Sequence, residues 1–199
     1  MDMCTGPLLK KLLIFAVPLI LSGVLQLLFN AADIVVVGKF AGRHALAAVG
    51  STGALINLFT NVFIGFSIGT NVLVAQYFGA KDEQNIQDTV HTSMAIGIIG
   101  GVFLIVAGMI FAPMMLEMMA TPEEVLGQAT LYIRIYFIGM PAMLIYNFGA
   151  AVLRAIGDTR RPLYYLLEAG VVNVILNLVF VIGFQMGVAG VAIATVVSQ

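Results

Sequence analysis

Hydrophobic and polar positions follow one another along this chain in long blocks, and most of the apolar blocks are long enough to cross a membrane as a helix. There are six apolar blocks, separated by short polar turns, at 12–37, 46–78, 90–116, 125–152, 163–184 and 187–199. A membrane-crossing helix needs about 20 apolar residues, because each residue rises about 1.5 Å. The pattern predicts an all-α, polytopic membrane helix bundle of six helices. The last block, at 187–199, is predicted to be an incomplete sixth helix.

The composition supports an integral membrane protein and excludes several other classes. Hydrophobic residues make up 61% of the chain and charged residues only 10%, far from the averages of soluble domains. A net charge of −1 without a basic cluster argues against a nucleic-acid partner, so membrane lipid is the expected surrounding. The chain contains no GxSxG, GxxxxGK or HExxH pattern, and its two histidines have no second ligand at metal-binding spacing. We therefore predict neither an enzyme nor a cofactor.

The basic residues predict the orientation of the chain in the membrane. In a six-span arrangement, Lys39 and Arg43 fall on one side, and the other side carries a larger basic set: Lys10, Lys11, Lys81, Arg154, Arg160 and Arg161. Loops rich in lysine and arginine stay in the cytoplasm. The expected location is the cytoplasmic membrane, with the N-terminus inside. Arg134 lies early in the fourth span, where its long side chain is expected to reach the outer surface.

A polar seam runs along the first span. Ser22, Gln26, Asn30 and Asp33 recur at intervals of four, four and three residues, which places them on one face of a helix, and Pro18 lies one turn earlier. A charged group at membrane depth costs roughly 2.5 to 3.5 kcal/mol and usually faces a bundle interior or a water-filled cavity. The seam is predicted to line such a cavity. The alternative is an aspartate near a helix end that reaches the headgroups.

Two other spans offer polar stripes that could face Asp33. Asn173 and Asn177 are one turn apart on the fifth span, and Tyr132 and Tyr136 are one turn apart on the fourth. Together the stripes could form one site. The alternative is that they only hold helices together, through hydrogen bonds worth about 0.6 to 2 kcal/mol each. For the pair Asn57 and Asn61 on the second span, this second interpretation is favoured.

The turn between the fourth and fifth spans has the sequence of a helix end followed by a helix start. Gly157 can end the fourth span in a left-handed conformation, and Asp158 or Thr159 can cap the next helix. Pro162 suits a first helical turn. The basic residues of this loop, Arg154, Arg160 and Arg161, are expected to fix the topology on the cytoplasmic side.

Four segments of the chain resemble the MATE family, the multidrug and toxic compound extrusion transporters. They are the loop at 153–162, Asn30-Ala31-Ala32-Asp33 with Gly38 and Gly42, Gly69-Thr70-Asn71 leading to Gln76–Ala80, and the segment at 187–195. They occur in the family's order across the whole chain. Family members have twelve helices in two six-helix lobes. The resemblance implies that residues 1–199 form the amino-terminal lobe and that the carboxy-terminal lobe is a missing partner.

The resemblance also implies a coupling-cation site in this lobe. Asp33 matches the first-helix acid that takes up the cation, and Pro18 matches a proline where that helix bends. Tyr132, Asn173 and Thr195 match polar groups around the acid. Asn177 departs from one branch of the family, which has a second carboxylate there. The departure weakens a sodium site at Asp33 and favours the proton as the coupling ion, because the amide keeps an oxygen but loses a charge.

Three functions remain open from the sequence. The first is a cation-coupled antiporter, driven by protons or sodium, that exports amphipathic and often cationic drugs. In this hypothesis, protonation of Asp33 lets the first helix bend near Pro18 and shrinks the drug cavity. The second is a flippase for lipid-linked oligosaccharides of the same superfamily, for which a more cationic cavity is expected. The third is a truncated lobe that transports nothing by itself.

Overall fold

The computed structural model describes residues 8–199, apart from the side chains of Leu8 and Lys10. These residues are almost entirely helical, and no strand occurs among them. The helices are α1 (Leu8–Val36), α2 (Gly42–Ala80), α3 (Glu83–Met118), α4 (Glu123–Ile138), α5 (Met140–Ala155), α6 (Arg160–Asn177) and α7 (Gly187–Ser198). Two π-helical segments, Val37–Ala41 and Leu178–Gly183, continue α1 and α6. Helix is the expected form for such apolar segments, because it satisfies every backbone polar group within the segment.

The predicted bundle of six helices is confirmed. Three helical runs are long and apolar enough to cross a membrane, Lys11–Ala80, Glu83–Met118 and Arg160–Gly183. The first of these holds 70 residues, about 105 Å of helix against a hydrocarbon core of about 30 Å. It is interrupted at Gly42, whose φ of 88° and ψ of 175° suit glycine alone. The run therefore supplies two spans, α1 and α2. The pair α4 and α5 supplies another, and the short α7 is the sixth helix.

The fourth span is not the single helix that the apolar block 125–152 predicts. It is divided between α4 and α5, which meet at an angle of 49°. Pro141, in the first turn of α5, has no amide hydrogen and cannot continue the hydrogen-bond ladder of α4. The amide of Gly139 instead donates to the carbonyl of Tyr136 at 3.0 Å. The proline was the available signal for this bend in the sequence.

Helices α1 and α6 lie side by side and run in the same direction. The start of α1 lies beside Arg160 at the start of α6. Further along, Phe29 of α1 packs against Gly170, and Asp33 contacts Asn177 near the end of α6. Both helices therefore begin on the same side of the bundle. This agrees with the predicted placement of the N-terminal lysines and the arginine loop on one side, whereas which side faces the cytoplasm stays a prediction.

Helix α3 packs closely against α4 and α5 through glycines on one of its faces. A Cβ atom at Gly97 would lie 3.1 Å from the Phe148 ring, and one at Gly101 would lie 2.5 Å from Cα of Pro141. At Gly108 the added atom would overlap the ring of Phe137. Phe137 and Phe148 are among the largest fully buried side chains. Close backbone approach at small residues is typical of membrane helix pairs.

Candidate functional site

Asp33 lies near the end of α1, half-buried where α1 meets α6. Its carboxylate oxygen Oδ1 accepts a hydrogen bond from Nδ2 of Asn177. The contact joins residues 144 positions apart in the chain. Asp33 therefore faces the neighbouring helix rather than the surrounding lipid, which is the arrangement expected for a charge at membrane depth.

A chain of hydrogen bonds extends from Asp33 through α6 to α7. The Asn177 amide also donates to Oδ1 of Asn173 at 3.1 Å, so both of its hydrogens are used. Nδ2 of Asn173 donates to the hydroxyl of Thr195 at 3.4 Å, and that hydroxyl donates to the carbonyl of Val191 at 3.0 Å. The structure thus brings together four residues singled out in the sequence, and the network connects three helices.

One acceptor in this network has no partner. Asn177 is only 1% exposed. Its Oδ1 is buried and makes no hydrogen bond with any residue in the described range. A buried acceptor left unpaired costs roughly 1 to 3 kcal/mol. The free oxygen is part of the same side chain that holds Asp33. The site therefore has one oxygen that can accept a further hydrogen bond or contribute to binding a cation.

Two tyrosines of α4 complete the surroundings of the carboxylate. Tyr132 and Tyr136 pack with ring centroids 5.9 Å apart, and both lie within electrostatic range of Asp33. Tyr132 is 6% exposed. The two tyrosines of the predicted stripe on the fourth span therefore lie on the same side of the bundle as Asp33.

The polar seam of α1 divides between a buried and an exposed part. With 3.6 residues per turn, Asp33 and Ser22 fall at the edge of the face that packs on α6. Both are half-buried, whereas Gln26 and Asn30 lie further around the helix and are exposed. Within this chain the seam thus lies on an open surface beside Asp33. That Gln26 and Asn30 line a cavity stays a prediction.

Pro18 interrupts the hydrogen bonding of α1 four turns before Asp33. Its ring removes one amide donor and crowds the preceding turn. The hydroxyl of Ser22 donates to the carbonyl of Pro18 at 2.8 Å. A serine bond to the carbonyl four residues earlier tends to bend a helix. The turn from Pro18 to Ser22 is therefore the weakest part of the α1 ladder.

The loop between α5 and α6 has the geometry predicted for a helix end and restart. Gly157 has a φ of 84°, the left-handed conformation that ends α5. Oδ1 of Asp158 accepts from the amides of Arg160 and Arg161, each at 3.2 Å, so Asp158 rather than Thr159 caps α6.

The same loop is held from both sides. Oδ2 of Asp158 pairs with Nε of Arg161 at 3.2 Å. The hydroxyl of Tyr146 in α5 donates to the carbonyl of Pro162 at 3.1 Å, where Pro162 lies in the first turn of α6 as predicted. Arg154 is half-buried at the end of α5. The role of these basic residues in setting the topology stays a prediction.

The chemistry of the site suits a proton or a hard cation. Its donors are the carboxylate, amide and hydroxyl oxygens of Asp33, Asn173, Asn177 and Thr195, the type of ligand that alkali and alkaline-earth cations prefer. No group of three His, Cys, Asp or Glu side chains converges anywhere in residues 8–199.

The expectation for Asn57 and Asn61 is wrong. Both side chains are exposed and make no hydrogen bond to another described residue. The polar links of α2 lie further along the helix, where Thr70 bonds Ser93 at 2.9 Å and Asn71 donates to the carbonyl of Ala151 at 2.7 Å. Asn71 belongs to the Gly69-Thr70-Asn71 segment of the family resemblance. That resemblance was the only feature of the sequence that pointed to a role for Asn71.

Comparison with known proteins gives a consistent family. The MatE family profile matches residues 18–179. Over 95% of this chain the sequence is 36% identical to the probable multidrug resistance protein YoeA of Bacillus subtilis, and over 100% it is 30% identical to the probable multidrug resistance protein YpnP of the same species. These alignments cover 42% and 44% of the two relatives, so the chain spans less than half of their length.

The fold is also found in solved structures. An outward-facing multidrug resistance MATE family transporter of the MOP superfamily superposes with a TM-score of 0.89 at 25% identity. The superposition covers 95% of this chain and 42% of that one. The helical arrangement described above is therefore that of part of a multi-pass membrane transporter.

Proposed function

Since the chain belongs to the MatE family of multidrug efflux transporters, we propose that it is the amino-terminal lobe of a cation-coupled drug exporter. The observation that carries this proposal is the contact of Asp33 with the network of Asn177, Asn173 and Thr195. The network joins α1 to α6 and α7, so a change in the charge of Asp33 acts on the packing of three helices. The partner is a carboxy-terminal lobe, and the membrane is the cytoplasmic one with the N-terminus inside.

The coupling ion is a proton at Asp33. When Asp33 is charged, it accepts from Nδ2 of Asn177. When it is protonated it becomes a donor, and the free Oδ1 of Asn177 becomes its acceptor after the amide turns over. An asparagine at this position can therefore serve both protonation states. A second carboxylate could do so only by changing its own charge, and this supports a proton in preference to sodium.

Loss of the charge at Asp33 frees α1 to move relative to α6. The weakest part of α1 is the turn between Pro18 and Ser22, where the proline interrupts the ladder. Protonation of Asp33 from the outside lets α1 bend at this turn, and the bend shrinks the cavity that holds the drug. Proton entry thereby drives drug exit.

The substrate is an amphipathic and often cationic drug. Along α1 no basic residue occurs between Lys11 and Lys39, while Gln26 and Asn30 present neutral polar groups beside Asp33. Such a surface attracts a positive charge and offers few specific hydrogen bonds, as a transporter of varied ligands requires. The same absence of basic groups disfavours the anionic carrier of a lipid-linked oligosaccharide.

The decisive experiment compares two aspartates in purified protein reconstituted into vesicles with an imposed pH gradient. Asp33→Asn is expected to reduce drug movement against its gradient to the level of empty vesicles, because the residue can no longer exchange a proton. Asp88→Asn makes the same chemical change at an exposed position of α3 and is expected to leave transport unchanged. Undiminished proton-driven transport by Asp33→Asn would refute the proposal.

Before that assay, the DNA downstream of the codon for Gln199 is read in the native locus. An open frame encoding six further spans is expected, and the assay then uses the complete protein. A stop codon there would favour the lobe that transports nothing by itself, and the assay with the chain alone would then be expected to show no transport.

A further inference from the structure

An open crevice lies between the starts of α1 and α6, well away from Asp33. It has a volume of about 400 Å³. Leu13, Ile14 and Val17 of α1 and Leu163 of α6 form its apolar walls, and Arg160 and Tyr164 contribute the polar groups. Pro18 also lines it. The crevice therefore combines a long apolar surface with one cationic group near its end.

Arg160 lines the crevice and has no ion-pair partner among the described residues, whereas its neighbour Arg161 is paired with Asp158 and does not line the crevice. Asp158 holds the side chain of Arg161 at 3.2 Å, and it uses its other oxygen to cap the two backbone amides. The guanidinium of Arg160 is exposed and makes no ion pair with any residue in 8–199. An arginine lining a crevice without a carboxylate partner can bind two oxygens of an anionic group such as a phosphate through its planar guanidinium.

The apolar walls are open to a membrane. Leu13 is 58% exposed, Val17 is 50% exposed and Tyr164 is 63% exposed. The helix start carrying Arg160 and Tyr164 lies at the end of a span, where headgroups and tyrosines meet in membrane proteins. From this point the crevice follows residues 13–18 of α1 and the first turn of α6, along the axes of the two helices.

We propose that this crevice binds one phospholipid with an anionic headgroup, with its phosphate on Arg160 and an acyl chain between Leu13, Val17 and Leu163. The proposal does not depend on the transport function, because it rests only on the membrane fold and on the charge and shape of the crevice. Basic pockets between membrane helices are a known basis of headgroup recognition. The lipid belongs to the leaflet on the side of Arg160.

The test is native mass spectrometry of the purified chain from detergent with phosphatidylglycerol or phosphatidylcholine added in equal amounts. The unaltered chain is expected to retain one phosphatidylglycerol in preference to phosphatidylcholine. Arg160→Gln is expected to lower this preference about fivefold, the effect of one arginine near an anionic membrane surface. Arg161→Gln, the matched control beside it, is expected to keep the preference.

A second variant tests the acyl-chain half of the proposal. Val17→Trp fills the crevice without changing any charge and is expected to expel both lipids. Because the preference is a ratio within one sample, a change in the amount of folded protein does not alter it. An equal loss of the phosphatidylglycerol preference in Arg160→Gln and Arg161→Gln would mean that general surface charge causes it, and would overturn the proposal. Unchanged lipid retention by Val17→Trp would also overturn it.

Discussion

The helices on one side of this bundle pack through glycines, whereas those on the other side are joined by a network of polar side chains. On the first side, α3 presents Gly97, Gly101 and Gly108 to the aromatic and proline residues of α4 and α5. On the second side, hydrogen bonds connect Asp33 of α1 with residues of α6 and α7. Gly170 also admits Phe29 there and Gly190 of α7 lies close to Phe180, but these glycines lie on different helices and form no run like that of α3.

The difference indicates which side of the bundle can move. Lipid is as apolar as a leucine side chain, so membrane helices associate through close packing and hydrogen bonds instead of through apolar burial. A glycine filled by an aromatic ring admits one arrangement of the two helices. A hydrogen-bond network can exchange donors and acceptors when one member changes its charge. We infer that α3, α4 and α5 form the rigid part, and α1 with α6 and α7 the adjustable part.

The largest effect is expected from Gly108→Val in the rigid part. The added carbons would overlap the ring of Phe137, which is fully buried and cannot move aside without displacing its neighbours. Overpacking of a dense core costs about 1 to 3 kcal/mol, and we expect the upper end here. Unfolding of the purified chain in mixed micelles by added dodecyl sulfate, followed by circular dichroism, measures the loss.

Gly50→Val is the matched control for this change. A Cβ atom at Gly50 would meet nothing within 4 Å, and the residue is exposed on α2. The free energy of unfolding of the Gly50→Val variant should stay within about 0.5 kcal/mol of that of the unaltered chain, as for most surface substitutions. Equal losses for the two variants would mean that the glycines matter for their backbone and not for the space they leave.

The rigid part is also where the sequence predicted the arrangement least. Long apolar blocks predict spans, and Pro141 is the signal for a bend, but the partner of each glycine depends on how α3 is rotated. Gly127 and Gly108 look alike in the sequence, yet a side chain would fit at one and not at the other. That distinction arises only once Phe137 is in position.

The adjustable part was more predictable because polar residues are rare in membrane spans. Asp33, Asn173, Asn177 and Thr195 stand out from apolar neighbours, and their spacing and family resemblance were enough to group them. The same reasoning failed at Asn57 and Asn61, which are exposed. Spacing places residues on a helix face, but it does not say which face the neighbouring helix covers.

A smaller loss is expected from Asn177→Leu in the adjustable part. The change removes the bonds to Asp33 and Asn173 and leaves an unpaired charge, at a cost of about 1 to 2 kcal/mol. The loss should stay below that of Gly108→Val, because α1 can rotate to bring Asp33 to lipid headgroups or water. The same dodecyl sulfate titration measures it.

Asn147→Leu provides the comparison for that variant. The Asn147 amide donates to the carbonyl of Met143, four residues earlier in its own helix, at 2.9 Å. It therefore joins no two helices, and its removal should change the free energy of unfolding by less than about 0.5 kcal/mol. If Asn147→Leu were as damaging as Asn177→Leu, the loss would reflect asparagine removal in general and the network would have no special importance.

The smallest effect is expected for the pair Thr70 and Ser93, which form a single hydrogen bond between α2 and α3 at 2.9 Å. Both residues are buried, and their bond joins α2 to α3 of the rigid part. A double-mutant cycle of Thr70→Val and Ser93→Ala should give a coupling energy of about 0.6 kcal/mol, the average for such bonds in a membrane. The value is small because the packing beside the bond already fixes the two helices. A coupling as large as the loss in Asn177→Leu would show that hydrogen bonds hold both sides of the bundle equally, and the division into a rigid and an adjustable part would then have no energetic basis.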